Sequence, residues 1–349
     1  MKYPILLASD LHLSAAPYSE YRWKLFGQLA DLKRKHNVKT LAILGDLTDA
    51  KDGHSAALVN RIVGALQGLP FEDVFILSGN HDWLKEGEEF FRFLNYFPTI
   101  QFITKPTVIE SDGSKSARCL MLPYSKTPLQ DWSALPRNHW DADYVMMHQT
   151  IKGAVASNGQ VMEGEALLDL NSVLGDDTKV YSGDIHVPQV IGRIEYVGSP
   201  YHVHLGDNFT PRVVLIDKDR HATDIHCPNI RRVTMSVQSY RELELELARR
   251  NLRRGDHVKV RMILPESDKH HWFKIKREAA TILKESGVEV YGIEMLIQKS
   301  KHRVRLGDSV ASTRTPVMSL EDHLAAFVVS ESLGGDALEA GLEIIESKP

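Results

Sequence analysis

Five short polar segments recur along the first part of this 349-residue chain: SDLHLS (Ser9–Ser14), GDLTD (Gly45–Asp49), GNHD (Gly79–Asp82), MMH (Met146–His148) and SGDIH (Ser182–His186). Four of them directly follow an apolar, β-branched-rich run (PILLA, LAIL, VFIL and DYVMM), and the fifth follows the shorter KVY. Runs of this kind read as strands. Ligand-type residues at the carboxyl ends of successive strands are how an α/β sheet builds a site in the crevice beyond its edge. The arrangement therefore commits the chain to an α/β fold in which several strands deliver side chains to one place.

Between the strands the pattern turns helical. Tyr21, Leu25, Leu29 and Leu32 predict a helix over about 20–36, and Leu58, Ile62 and Leu66 predict another over about 54–66. A third is expected over about 88–95. Strands are expected at 40–44, 73–77 and 143–147, then at 179–182, 189–191, 194–197 and 212–216, with a hairpin at Ile191-Gly192-Arg193-Ile194. This order implies a two-sheet sandwich, packed face to face and flanked by helices. The segment CPNIRR (Cys227–Arg232) marks a boundary. Beyond it a β-α-β-α-β pattern predicts a smaller α+β cap domain. Residues 306–318 read as a linker. Ser319-Leu-Glu-Asp322 then opens a helix with a capping-box-like start. Three regions result: 1–228, 229–305 and 306–349.

Hydrophobic residues make up 43% of the chain and charged residues 25%, as in ordinary globular proteins. No stretch approaches the roughly 20 apolar residues of a membrane span. MKYPILLASD meets Asp10 after a few apolar residues and reads as a first strand, not a signal peptide. Cys119 and Cys227 are the only cysteines and stand far apart, which fits a reducing, cytoplasmic compartment. The net charge of −4 conceals a split. Residues 1–228 carry 22 Lys/Arg against 28 Asp/Glu, residues 229–305 carry 18 against 10, and residues 306–349 carry 2 against 8. A basic middle block is what a polyanion-binding surface looks like, although a solvated face gives the same count.

Taken singly, an Asp at a strand end is usually a turn former or helix cap, and a lone His is usually a hydrogen-bonded surface residue. Together the segments offer Asp10, His12, Asp46, Asn80, His148, Asp184 and His186, a mixed oxygen and nitrogen set suited to two divalent metals. Asp10 and His12 alternate along what reads as an extended stretch, so both can point one way. Asp46 can offer one carboxylate oxygen to each of two metals. His81 is free for work on a proton or a phosphate.

The motif set resembles the calcineurin-like metallophosphoesterase superfamily, whose pattern is D-x-H, GD, GNH[DE], H and GHxH. The resemblance covers about residues 3–214. It implies a metallophosphoesterase fold in which a hydroxide between two metals attacks phosphorus and the His of GNH[DE] assists the leaving oxygen. Carried over, Asp10, His12, Asp46 and His186 would hold one metal. Asp46, Asn80, His148 and Asp184 would hold the other. His81 would be the acid or phosphate-stabilising residue, and Asp82 an orienting residue behind the ligands. The family's GHxH reads GDIH here, so Asp184 replaces an imidazole and favours manganese, or magnesium, over zinc.

Within the superfamily the chain looks most like the double-strand-break repair nucleases, the branch of SbcD-like nuclease subunits and phage recombination exonuclease subunits. YVGSPYHVHLGD (Tyr196–Asp207) resembles the GSP segment of that branch, and PRVVLID (Pro211–Asp217) its closing strand. The resemblance implies a DNA exonuclease, with endonuclease activity in reach, acting in recombination and repair. It also implies a homodimer within a heterotetramer with an SMC-like ATPase subunit, in a cytoplasm that would be the host's if a phage encodes the chain. DNA contacts are expected from Arg249, Arg250, Arg253, Arg254, Lys259, Arg261, Lys274, Lys276 and Arg277. Leu320, Leu324, Phe327 and Val328 line one face of the expected C-terminal helix and would dock the partner. A small-molecule phosphodiesterase would share the metal core without needing the basic block. A weakly active DNA- or partner-binding scaffold finds support only in Asp184.

Overall fold

Alternation along buried strands sets the architecture. The computed structural model describes residues 1–51, 53–85, 88–113, 115–164 and 169–298. The first strands are β1 (Ile5–Ala8), β2 (Thr40–Ile43), β3 (Asp73–Leu77), β4 (Trp83–Lys85), β5 (Glu88–Glu89), β6 (Ile100–Ile103), β7 (Thr107–Ile109), β8 (Cys119–Leu122) and β9 (Tyr144–His148). They are followed by β10 (Lys179–Gly183), β11 (Gln189–Ile191), β12 (Ile194–Tyr196), β13 (Arg212–Ile216) and β14 (Ala222–His226). One six-stranded sheet has the order β14-β13-β1-β2-β3-β6, and the other β11-β12-β10-β9-β8-β7.

Side chains of these strands divide by period two among three cores. Ile5, Leu7, Ala42, Phe75 and Leu77 of the first sheet meet Cys119, Met121, Tyr144, Met146 and Tyr181 of the second in a central layer. Leu6, Ala8, Leu41, Ile43, Val74 and Ile76 turn outward under helices. Leu120, Leu122, Val145, Met147 and Val180 form the outer core of the second sheet. Helix α1 (Glu20–His36) buries Tyr21, Leu25 and Leu29 and stops at Asn37, whose left-handed backbone donates its N–H to the Lys33 carbonyl. Helix α2 (Ala56–Gln67) starts at Ser55, whose hydroxyl accepts the Leu58 N–H at 3.2 Å, and buries Leu58, Ile62 and Leu66.

The helix expected over 88–95 is not there. Glu88–Glu89 forms strand β5 and Phe90–Tyr96 a 3-10 turn. Its buried residues, Phe91 and Leu94, are three apart, the 3-10 spacing. Asn95 then clamps the turn to β6, accepting the Phe102 N–H at 2.6 Å and donating to the Phe102 carbonyl at 3.0 Å.

Beyond Cys227 a three-stranded parallel sheet of β15 (Arg232–Val237), β16 (His257–Leu264) and β17 (Glu289–Ile297) carries two further helices, numbered after the short α3 (Pro128–Ser133) and α4 (Leu170–Val173). These are α5 (Tyr240–Arg249) and α6 (Trp272–Glu285). The layer has its own core, including Met235, Leu243, Val258, Val260, Ala279 and Leu283. Residues Met1–Gln298 nevertheless form one compact unit. The linker and the docking residues Leu320, Leu324, Phe327 and Val328 lie outside the described residues. No helix among the described residues is long and apolar enough to cross a membrane.

Candidate metal centre

Parallel register brings the motifs together. Ala8 pairs with Ile43, and Ile43 with Ile76, so the segments leaving β1, β2 and β3 run side by side. Pairing continues past the strands through Asp10 N–H to the Gly45 carbonyl at 3.2 Å and His12 N–H to the Asp46 carbonyl at 2.9 Å. In the second sheet, His148 of β9 lies opposite Gly183 of β10. The stretch through Asp10 and His12 is not extended: their φ angles are 54° and 40°. Asp46 at 52° and Asp184 at 80° are left-handed as well. Such backbone is costly for residues other than glycine and persists where surrounding bonds impose it.

The side chains converge on one crevice. His12 Nε2 lies 3.0 Å from His186 Nε2 and 3.4 Å from Asp46 Oδ2. The other Asp46 oxygen, Oδ1, lies 3.3 Å from His148 Nε2, which is 3.6 Å from Asp184 Oδ1. One carboxylate thus faces two imidazoles, one oxygen each. Ligand atoms of Asp10, His12 and His186 lie within 4.8 Å of one another, as do those of Asp10, Asp46 and His148. Asp10 Oδ2, Asn80 Oδ1 and His148 Nε2 are buried without a hydrogen-bond partner. Buried polar atoms are normally paired, and buried ligand-type atoms left without a partner fit the binding of divalent cations.

The electrostatics agree. Burial pushes the Asp10 carboxyl up to about 7, with the Asp46 charge adding to it. Burial would raise Asp46 too, but His148 beside it holds that carboxyl well below the usual range. The same contact overcomes burial at His148 and raises its imidazole well above normal. Burial lowers His12 strongly and His186 to about 4, with His204 adding to the latter, and it raises Asp184. A cation would relieve each crowded carboxylate.

Other residues hold the ligands in place. Asp82 is fully buried, raised to about 7 by burial and then by Asp46, and accepts N–H groups from Gly79 at 2.9 Å and Leu47 at 3.0 Å. It ties the segment after β3 to the segment after β2. His148 Nδ1 is 2.6 Å from the Leu44 carbonyl, which turns Nε2 toward the crevice. The Thr150 hydroxyl donates to Asp184 Oδ2. The His81 N–H donates to Asp46 Oδ1 at 3.0 Å, and its Nδ1 lies 3.1 Å from the Asp49 carbonyl.

Three participants went unnoticed in the sequence. Asp49 forms a cluster with His12 and His81, its Oδ1 3.7 Å from His12 Nδ1. Arg22 is 2% exposed, donates to the His12 carbonyl and lies 3.6 Å from Asp49 Oδ2. His204 stacks on His186, with ring centroids 5.1 Å apart. The second Asp of GDLTD was a visible signal for the first, whereas an Arg within a helical pattern gave none.

The basic residues of the third layer fall into two groups. Arg249 and Arg250 pair with Glu246 at 2.8 and 2.9 Å, and Lys259 and Arg261 with Glu294 at 2.6 and 3.5 Å. Arg253, Arg254, Lys274, Lys276 and Arg277 are exposed and have no carboxylate partner among the described residues.

A profile described as calcineurin-like phosphoesterase matches residues 3–188. Among solved structures, the crystal structure of Pseudomonas putida nuclease MPE is similar, with 17% sequence identity and a TM-score of 0.32 over 63% of this chain and 87% of that one. No curated protein sequence matches. The profile match covers more than half of the chain and every strand end that feeds the crevice, and the chain belongs to the calcineurin-like phosphoesterase family, hydrolases of phosphoester bonds.

Proposed function

We propose that the protein is a manganese-dependent DNA nuclease that works with an SMC-like ATPase subunit in recombination and repair. The observation that carries the substrate is the group of unpaired cations. Among the described residues, Arg253, Arg254 and the α6 residues Lys274, Lys276 and Arg277 have no carboxylate partner, while the crevice itself is built from buried acids. DNA binding draws on such free Lys and Arg to replace phosphate counterions. Phe273, 86% exposed among these cations, adds a stacking surface for a base.

Asp10, His12, Asp46 and His186 would hold one metal, and Asp46, Asn80, His148 and Asp184 a second. Ions bound there supply Lewis acidity toward phosphate oxygens and an activated water. The extra carboxylate of Asp184 supports manganese, or magnesium, over zinc. His81, held through Nδ1 by the Asp49 carbonyl, keeps Nε2 for a proton directed at the leaving oxygen. Asp82 fixes the segment that carries Asn80 and His81. Two free, buried cysteines support a reducing cytoplasm. Residues 306–349 are read as the partner-docking segment, with Leu320, Leu324, Phe327 and Val328 as its contact face.

The deciding experiment is manganese-dependent digestion of linear double-stranded DNA beside hydrolysis of a chromogenic phosphodiester, with wild type and His81→Asn. The reading expects both activities in wild type and loss of DNA digestion in the variant. Hydrolysis of the small diester with no cleavage of DNA at any ionic strength would overturn the nuclease assignment. Deleting residues 306–349 should abolish ATPase-subunit binding and spare activity on short DNA.

A further inference from the structure

Three successive carbonyls in the first ligand segment are each held by a side chain from elsewhere. Ser199 Oγ donates to the Asp10 carbonyl at 3.1 Å, the Tyr201 hydroxyl to that of Leu11, and Arg22 Nη1 to that of His12. Two of these donors lie in the segment that follows β12. The same segment is stitched to the start of the third layer. Arg22 Nη2 reaches the Val203 carbonyl at 3.2 Å, and Arg232, the first residue of β15, donates Nη1 to that same carbonyl. The Arg232 carbonyl accepts the Gly206 N–H at 2.8 Å.

Arg232 is an expensive residue to keep here. It is 3% exposed, its Nε is buried without a partner, and no carboxylate pairs with it among the described residues. A second buried guanidinium, Arg22, shares its acceptor. Both cations lie over the Tyr21 ring, at 5.8 and 5.7 Å, and Arg232 also over Tyr291 of β17, at 5.2 Å. A buried charge that lacks a counterion adds little stability, so a fixed geometry is the property it supplies.

We propose that Arg232, Val203 and Arg22 form a relay that couples the position of the basic layer to the metal-ligand segment Asp10–His12. Arg232 and Arg22 are positioning residues: they act through the carbonyls they hold. A displacement of β15 moves the Val203 carbonyl, and with it the guanidinium that holds His12 in its left-handed backbone. The relay has a second contact with the site, because His204, one residue beyond Val203, stacks on His186. A load on the basic layer would thus be felt as a change in metal affinity. The inference rests on the metal centre and is independent of whether the substrate is DNA.

The test measures manganese affinity of the full chain by calorimetry, together with the manganese activation constant for a small chromogenic diester. Arg232→Met should weaken manganese binding about 10- to 100-fold, the effect typical of lost ligand support, and saturating manganese should restore kcat. Arg232→Lys, which keeps the charge and a donor for the Val203 carbonyl but loses the planar guanidinium over Tyr21 and Tyr291, should fall between. Lys284→Met, an exposed cation at the end of α6, should match wild type. If Arg232→Met does not fold, Arg232→Lys decides. A folded variant with manganese affinity within about twofold of wild type overturns the relay, as does a loss of kcat that saturating manganese does not recover.

Discussion

Gly79 packs between Asp46 of the first sheet and His148 of the second, and adding one methyl group there is a sharp perturbation. A Cβ at Gly79 would lie 2.2 Å from Asp46 Oδ1, 2.4 Å from the Asp46 backbone nitrogen and 2.9 Å from His148 Nε2. Its own φ is one that alanine adopts, so the cost is purely one of space. To reach ordinary contact near 3.4 Å, Asp46 must retreat by roughly 1 Å, and a backbone atom cannot swing aside as a side chain would. Overpacking of this kind costs about 1–3 kcal/mol, which lowers Tm by on the order of 5 °C in a chain of this size. A misplacement of about 1 Å at a catalytic group costs about 100-fold in rate. Gly79→Ala should therefore stay folded, lose about 100-fold in kcat on a chromogenic phosphodiester and need more manganese for half activation. Gly27→Ala is the control: it lies within α1, a Cβ there has nothing within 4 Å, and it should gain up to about 1 kcal/mol with activity unchanged. Gly79→Ala with activity within threefold of wild type would refute the reasoning, because Asp46 would then have no fixed place to lose.

Other outcomes can be stated as directly. In the metal-free protein near neutral pH, Asp10, raised to about 7 chiefly by burial, is partly protonated, and His148, raised by Asp46 against burial, favours its protonated form. Metal binding must expel these protons, so manganese affinity should fall as pH drops below 7, by up to about tenfold per unit for each proton released, as read by calorimetry in buffers of different ionisation enthalpy. Asp82→Ala leaves the Gly79 and Leu47 N–H groups buried and unpaired; at about 1–3 kcal/mol each it should lower the urea midpoint visibly and abolish activity. Charge reversal at Lys274, Lys276 and Arg277 should weaken DNA binding and flatten its salt dependence more than reversal at Arg249 and Lys259, whose charges are already matched by Glu246 and Glu294.

Most of the catalytic layer was legible because its strands are long apolar runs that end in ligand residues. The runs before Asp10, Asp46, Asn80 and His148 each announced a strand, and the structure has them within a residue or so of the expected bounds. What was missed has local causes. β7 is three half-buried residues, and β14 is an exposed edge strand with no apolar face to read. The segment after Glu88 has helix-like aromatic spacing, but Asn95 binds β6 and tightens it to a 3-10 turn. The carbonyls of Asp10 and Leu11 are held by side chains some 190 residues away, Ser199 and Tyr201, and no window of sequence around them encodes those contacts. Arg22 was invisible for a related reason: an arginine on a helix normally reads as surface, and only the tertiary structure shows it buried against a ligand's carbonyl.

The division of the ligands between the sheets bears on how the protein is kept intact. Asp10, His12, Asp46 and Asn80 issue from the first sheet, and His148, Asp184 and His186 from the second. A chain in which only one sheet has formed presents half a coordination set and is blind to the ion. On the proposed ligand set, free metal would act as a selective fastener on the seam between the sheets. At one hundred times its dissociation constant it adds about 2.7 kcal/mol to the fully docked form and nothing to the half-assembled one. Chelation should loosen that seam first, and amide exchange should rise around the central layer of Leu7, Ala42, Met121 and Met146 before it rises under the outer helices.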